Sequence, residues 1–335
     1  MKDLLLITPP FTQLNTPYPA TAYIKGFLDT KNISSHQIDL GIEVILELFS
    51  KAGLQKILAT LPDSQSSSEN SHRIFALKND YVKTIDQVIL FLQGKNPTLA
   101  RQICTMNFLP ESSRFNQLDD MEFAFGNMGL QDKAKHLATL YLEDISDFII
   151  ENIDPDFGFS RYAERLGKSA NSFDDLYAKL NENRTFIDEI SLNILAQKLE
   201  FVQPKLVCFS VPFPGNLYAA FRCAKFIKEN YPSIKIAMGG GFPNTELRDL
   251  KDIRVFEFFD FITLDDGELP LELLVHEEKI NNERCFKRTL LLENQEVVYK
   301  NNTKIFDYKQ ADIGTPNYTD FVLADYTTLL ELAHP

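Results

Sequence analysis

The sequence predicts an α/β protein whose parallel sheet is interrupted by a long helical segment. Short apolar runs of strand length recur near both ends of the chain, and segments with helical spacing of apolar residues follow them. Strands that alternate with helices form parallel sheets with right-handed crossovers. Between residues 41 and 203 the alternation gives way to amphipathic helical patterns, which indicates a helical insertion.

The predicted strands are each six or seven residues long and end at turn residues. They cover 3–8, 34–40, 205–211, 234–240 and 259–264. Helices are predicted after them, within 19–32, 217–232 and 245–253, and from the acidic stretch 265–268 onward. A hairpin is expected over 286–301 with its turn at 293–295, and the tail is predicted as loop followed by a helix.

The helical region has two strong helical patterns and one polar loop. Apolar residues recur at i, i+3, i+4 and i+7 in 133–154 and in 185–202, and residues 63–71 are predicted to be a loop. We therefore divide the chain into an α/β domain of residues 1–40 plus 204–285, a helical insertion of 41–203, and a hairpin and linker of 286–335.

Composition restricts the partners of this chain. Of 335 residues, 34 are Lys or Arg and 47 are Asp or Glu, so the formal net charge is −13. Nucleic-acid binding requires a basic surface, which this composition disfavours. The four cysteines have no CxxC spacing, and no apolar run is long enough for a signal peptide or a membrane span. We expect a cytoplasmic protein without nucleic-acid or membrane partners.

The predicted topology gathers four loops at one edge of the sheet. Ligands of open α/β sheets bind beyond the carboxyl ends of the strands, where the strand order reverses. The loops that follow the predicted strands at this edge are 8–19, 210–216, 239–245 and 265–268. We call them the rim, and expect any ligand there.

The first two rim loops combine prolines with aromatic and hydroxyl side chains. Fixed proline φ angles make the first loop either a stiff wall for a flat ligand or only a rigid connector. A hydroxyl at the end of the third strand either donates a hydrogen bond into the crevice or caps the next turn. The candidate binding residues here are Thr8, Pro9, Pro10, Tyr18, Ser210, Val211, Pro212 and Phe213.

The other two rim loops bring glycines and carboxylates. Gly239, Gly240 and Gly241 permit positive φ and close approach to the backbone, although a tight turn alone has the same signature. The sequence is neither GxGxxG nor a Walker motif. Asp266, Gly267 and Glu268, after Asp265, form either a carboxylate or metal site or, as we favour, a helix start. The five histidines lack ligand spacing, so we assign no catalytic or metal-ligating residue.

The order of these pieces resembles the N-terminal cobalamin-binding-type domain of radical S-adenosylmethionine proteins. The matching segments are "LLLITPP", "YPATAYIKGFLDTKN", "IDL", "VCFSVPF", "AAFRCAKFIKENYPSIKIAMGGGFPN" and "FDFITLDDGELPLELL", and "TPNYTDFVLADY" is similar to the linker into the barrel of that family. The resemblance covers about 1–40 and 204–335. The family usually has Gly-Glu-Gly-Glu where this chain has Asp-Asp-Gly-Glu.

The resemblance implies a flavodoxin-like or Rossmann-like sheet of five parallel strands in the order 2-1-3-4-5. It implies a corrin ring over the strand ends, facing Thr8, Pro10 and Tyr18. The nucleotide tail of the cobalamin would lie in a crevice lined by Ser210 and Gly239–Gly241. The domain would hold cobalamin against the downstream barrel, in methyl transfer or related radical chemistry.

Two departures from the family limit what the chain does by itself. The first loop has no histidine, so cobalamin would be held without a protein imidazole ligand. The CxxxCxxC motif that holds a [4Fe–4S] cluster is absent, so the cluster and S-adenosylmethionine are expected in a domain downstream of this chain. The alternatives are a scaffold or substrate-docking domain that has lost cobalamin and has its rim filled by Phe213 or Phe242, and a flavin or nucleotide binder.

Overall fold

A computed structural model describes residues 3–61, 68–105, 107–120, 129–159, 163–168, 173–276, 279–280 and 283–327. The strands are β1 Leu4–Thr8, β2 Ser35–Asp39, β3 Leu206–Ser210, β4 Lys235–Gly239, β5 Phe261–Thr263, β6 Lys279–Ile280, β7 Glu283–Arg284, β8 Thr289–Glu293 and β9 Glu296–Lys300. The helices are α1 Ala20–Thr30, α2 Leu40–Leu48, α3 Lys51–Thr60, α4 Glu69–Ala76, α5 Lys78–Leu92, α6 Leu99–Thr105, α7 Leu130–Asn152, α8 Glu164–Lys168, α9 Asp174–Asn181, α10 Phe186–Val202, α11 Leu217–Asn230, α12 Gly241–Glu246 and α13 Glu268–His276.

The main sheet is mixed and has seven strands, in the order β2-β1-β3-β4-β5-β8-β9. Its first five strands are parallel, and β8 joins β5 in the antiparallel direction. The prediction of five strands was therefore too small by two, because the C-terminal hairpin extends the sheet instead of standing apart from it. The order reverses between β1 and β3, so the crevice expected at such a reversal lies beyond these two strands.

One face of the sheet is covered by most of the helices. Leu5, Ile7, Phe209 and Met238 belong to a single apolar cluster that continues into the helical region 41–203. Alternate residues of a strand point to opposite faces, so this cluster takes every second residue of β1, β3 and β4. We call this side the core face.

In the described part of the chain, the helices that cover the opposite face are α1 and α13. Its smaller cluster contains Leu4, Leu6, Cys208 and Ala237 from the strands, with Phe27 and Leu28 from α1 and Leu271 and Leu274 from α13. Because α1 crosses from β1 to the edge strand β2, and α13 follows β5, the strands between them have less cover. We call this side the cavity face.

The residues after the hairpin return along the edge of the sheet. We call residues 313–327 the strap. Gln37 of β2 donates its backbone N–H to Asp320 and its side-chain amide to the carbonyl of Asn317. The strap ends at the first rim loop, where the Thr327 N–H donates to the Leu14 carbonyl at 2.7 Å. It therefore covers the β2 edge, a contact that the sequence did not predict.

Three local predictions need correction or remain open. The short helix expected at 245–253 instead begins at Gly241, and a 3₁₀ turn spans Ile253–Glu257, because the chain turns into a helix directly after the glycines. The loop expected at 63–71 ends earlier than predicted, because Ser68 already caps α4. Its side chain accepts a hydrogen bond from the Ser71 N–H. The rest of that loop, 63–67, and the end of the predicted tail helix, 328–335, lie outside the described residues.

In the described part of the chain, no helix is both long and apolar enough to cross a bilayer.

Candidate functional site

A cavity of about 310 Å³ opens on the cavity face at the carboxyl ends of the strands. Its floor is made by β1, β3 and β4, and its sides are made by α1 and α13. It spans the point where the strand order reverses, as the rule for open α/β sheets predicts. Of the sequence-predicted site residues, six line it: Ser210, Gly239, Gly240, Asp266, Gly267 and Glu268.

The floor of the cavity consists of small and medium apolar side chains. Leu6, Cys208 and Ala237 lie side by side on neighbouring strands, since Leu6 pairs with Cys208 and Cys208 pairs with Ala237 in the sheet. Burial raises the pKa of the Cys208 thiol, so this side chain is uncharged at neutral pH. The floor therefore suits a flat, uncharged group.

The helix α1 supplies a wall that sequence analysis did not assign to the site. Ala20, Thr21, Tyr23 and Ile24 line the cavity from its first turns. The Thr21 hydroxyl is buried and has no hydrogen-bond partner, so a polar ligand atom could satisfy it. The helical pattern of 19–32 predicted α1 itself. Which of its residues face the cavity depends on how α1 packs against the sheet.

Two glycines of the triplet lie too close to neighbouring backbone to carry a side chain. Gly240 has φ +105°, and a Cβ there would lie 2.7 Å from the Val211 carbonyl oxygen. A Cβ on Gly241 would lie 2.7 Å from the Pro212 carbonyl oxygen. The close neighbour is therefore the second rim loop. Gly241 does not line the cavity, whereas Gly239 does, beside Thr263.

The first rim loop is folded down onto the protein. Thr8, Pro9 and Pro10 are buried, and the buried Asn216 amide donates to the carbonyls of Pro9 at 3.0 Å and Phe11 at 2.8 Å. These contacts fix the first loop against the second. Thr8 and Pro10 thus have their side chains in the interior, contrary to the expectation that they face a ligand on the rim.

The second rim loop has one exposed member among its predicted site residues. Val211 and Pro212 are buried, while Phe213 is 52% exposed. The Phe213 ring meets the half-buried Tyr18 ring edge-on, with 5.7 Å between the ring centroids. These two aromatic rings are therefore available to a flat ligand.

Carboxylates surround the mouth of the cavity. Asp265 forms an ion pair with Arg248 rather than capping α13, and Asp266 is exposed. Glu268 begins α13, and burial, followed by the neighbouring Asp266 charge, raises the pKa of its carboxyl. The Arg288 guanidinium donates to the Asp266 carbonyl at 2.9 Å and fixes this turn to the hairpin. The Asp265 carboxylate is paired with Arg248 and lies 3.9 Å from the Arg288 guanidinium, so part of the negative charge at this position is balanced.

Among the described residues, no group of three or more His, Cys, Asp or Glu side chains has metal-ligand geometry. The cavity offers a ligand its apolar walls, the Thr21 hydroxyl, the backbone at Gly239 and the carboxylates of residues 265–268. The chain matches no family model, no curated protein and no solved structure.

Proposed function

We propose that this chain is a cobalamin-binding-type domain of a radical S-adenosylmethionine protein, with a flavodoxin-like arrangement of its five parallel strands. The observation that carries the proposal is the cavity of about 310 Å³ beside the sheet. It lies where the resemblance expects the nucleotide tail of cobalamin, and it is lined by Ser210, Gly239 and Gly240. The position of this cavity supports the proposal that the sequence resemblance suggests.

The residues of the cavity suit the heteroaromatic end of such a tail. The apolar floor of Leu6, Cys208 and Ala237 offers contact to a flat ring, and the unpartnered Thr21 hydroxyl offers a hydrogen bond. Gly239 lines the cavity without a side chain, and a Cβ there would lie 2.8 Å from the Thr263 Oγ1, so a larger residue would crowd this side of the cavity. Tyr18 and Phe213 would contact the larger ring outside.

Bound cobalamin would supply the organometallic chemistry, and the protein would hold and orient it. The chain would do so without a histidine ligand from the first rim loop. The strap brings Thr327 to Leu14 of that loop, so its last residue lies beside the rim. This position suits a linker into a downstream domain that carries the cluster and S-adenosylmethionine.

The main alternative is a scaffold domain that has lost the cofactor. That hypothesis expects the crevice to be filled by Phe213 or Phe242. Phe213 is 52% exposed, and the buried Phe242 lines a different cavity together with Phe221 and Val255. Neither ring lines the cavity beside Ser210. The binding function is therefore favoured over the scaffold.

Hydroxocobalamin binding tests the proposal. The purified chain is mixed with hydroxocobalamin and desalted, and we expect retained pigment with a shifted visible spectrum. Cys208→Leu places a larger side chain on the cavity floor and should abolish retention, while Cys208→Ala leaves the cavity open and should retain the pigment. A colourless wild-type protein would contradict the proposal, and retention of flavin mononucleotide instead would indicate a flavin binder.

A further inference from the structure

The two edges of the seven-stranded sheet differ in their cover. The strap contacts the β2 edge through Asp320 and Asn317. At the other end, within the described residues, no strand pairs with the outer side of β9. Unpaired edge strands are templates for pairing with another chain.

The hairpin turn determines which backbone groups of β9 point outward. Asn294 and Gln295 have φ of 50° and 65°, which are the positive angles of a two-residue type I′ turn. Such a turn closes on a hydrogen-bonded pair, here Glu293 with Glu296, and hydrogen-bonded pairs then recur at every second position. The N–H and carbonyl groups of Val297 and Tyr299 therefore point away from β8.

We infer that β9 pairs with β9 of a second copy of this chain and joins the two sheets. An antiparallel pair uses the outward groups of both strands when Val297 lies opposite Tyr299 of the other copy. That register is symmetric about Val298. It also places Glu296 opposite Lys300 of the second copy, twice in the dimer.

The charges at the ends of β9 select this register and this partner. In antiparallel sheets, side chains of directly opposed residues attract when their charges are opposite and repel when they are alike. The registers centred on Val297 or on Tyr299 also use the outward backbone groups, but they separate Glu296 from Lys300. Only the register centred on Val298 forms both ion pairs.

The side chains on both faces of β9 suit the same register. Tyr299 is 49% exposed, and Val297 packs on the core face of the sheet. Opposed Val297 and Tyr299 would form two aromatic–aliphatic pairs on that face. On the other face, Lys300 forms an ion pair with Glu293 of β8 and lies over the Phe286 ring, so its charge is held beside the strand, where Glu296 of the second copy would share it. In this register, each apolar side chain of β9 lies opposite an apolar one, and each charged side chain lies opposite one of the other sign.

The inference rests on β9 and does not depend on the proposed function. Sedimentation velocity of the wild-type chain over a concentration series should show a reversible dimer with a dissociation constant in roughly the micromolar range, as for small interfaces. Lys300→Glu and Glu296→Lys each oppose like charges and should weaken the dimer by about tenfold or more. The exposed Lys304→Glu makes the same charge change outside β9 and should leave dimerisation unchanged.

Mixing the two single variants gives the sharpest test. A Glu296→Lys chain has Lys at both ends of β9, and a Lys300→Glu chain has Glu at both ends, so the two should form a heterodimer. The double variant should dimerise by itself again. A monomeric wild type, or a dimer that both single variants leave unchanged, would overturn the inference.

Amide exchange locates the interface. The outward amides of Val297 and Tyr299 should exchange more slowly as the protein concentration rises, while the inward amide of Val298 should be protected at every concentration. Equal behaviour of all three amides would contradict the register.

Discussion

The two faces of the sheet, although built by the same strands, are covered in different ways. On the core face, Phe209 is 1% exposed and joins one continuous cluster with the helical region. On the cavity face, the adjacent Cys208 lies beneath an opening of about 310 Å³. Helices at both margins leave the strands between them partly uncovered. A ligand cavity can therefore arise from missing helical cover, without a special loop motif.

The largest expected effect separates the two faces on one strand. Phe209→Ala removes a fully buried ring whose centroid lies 6.1 Å from that of Phe259. It should lower the free energy of unfolding by about 3–5 kcal/mol, whereas Cys208→Ala should lower it by about 1 kcal/mol or less. Urea titration followed by circular dichroism measures both. Equal losses would mean that the two faces are packed alike.

The next largest effect concerns Asp39, whose carboxylate contacts both α2 on the core face and the strap. Asp39 caps α2 on the core face and accepts a hydrogen bond from the Tyr326 hydroxyl of the strap at 2.9 Å. Burial raises its pKa from 3.8 to about 6, against the opposing effect of these hydrogen bonds. The folded protein therefore binds this proton more tightly than the unfolded chain does.

Stability contributed by Asp39 should consequently be complete below pH 4 and lost as the pH rises through 6. A shift of about two pKa units corresponds to about 3 kcal/mol. Asp39→Asn keeps an oxygen for the cap and carries no charge. Its free energy of unfolding, relative to that of the wild type, should rise between pH 4 and 7. A constant difference across that range would contradict the prediction. Burial also raises the pKa of Asp144 to about 6, so this residue adds a similar pH dependence to both proteins. Its contribution cancels in the difference between Asp39→Asn and the wild type.

The smallest of the three effects concerns the outer side of α1, the helix that walls the cavity. An added Cβ on Gly26 would lie 1.9 Å from the Thr315 carbonyl oxygen of the strap. Gly26→Ala should therefore displace the strap and lower the free energy of unfolding by about 1–3 kcal/mol. Faster proteolysis within 313–327 would report the displacement.

Gly129→Ala is the matched control for this substitution. Among the described residues, no atom lies within 4 Å of a Cβ built on Gly129, and its φ is −64°. We expect Gly129→Ala to leave the strap and the stability nearly unchanged. If the two variants behaved alike, the strap contact at Gly26 would not contribute to the cover of α1.

Much of the fold followed from local sequence patterns. The five apolar runs became β1 to β5, and the helical spacing of 185–202 became α10, whose Thr185 forms a capping box with Asp188. The hairpin turn lies at Asn294–Gln295, within the predicted 293–295. These features depend on neighbours within a few residues, so periodicity and turn residues reveal them.

The candidate site was only partly predictable. The strand-end rule placed Ser210, Gly239 and Glu268 near one another, and all three line the cavity. It did not indicate that Thr8 and Pro10 are buried, because that depends on the Asn216 amide, about 200 positions later in the chain. Nor did it identify Thr21, which lines the cavity because of how α1 packs against the sheet.

The sequence by itself determined the strands, their alternating faces, the helical region and the loops that meet at the rim. Tertiary structure alone decided that the hairpin extends the sheet and that the strap covers the β2 edge. It also decided that the glycine triplet accommodates Val211 and Pro212. The physical reason is distance along the chain: local patterns record the burial and backbone preferences of neighbouring residues. Pairing, edge cover and cavities depend on contacts between segments far apart, which leave no periodic signal.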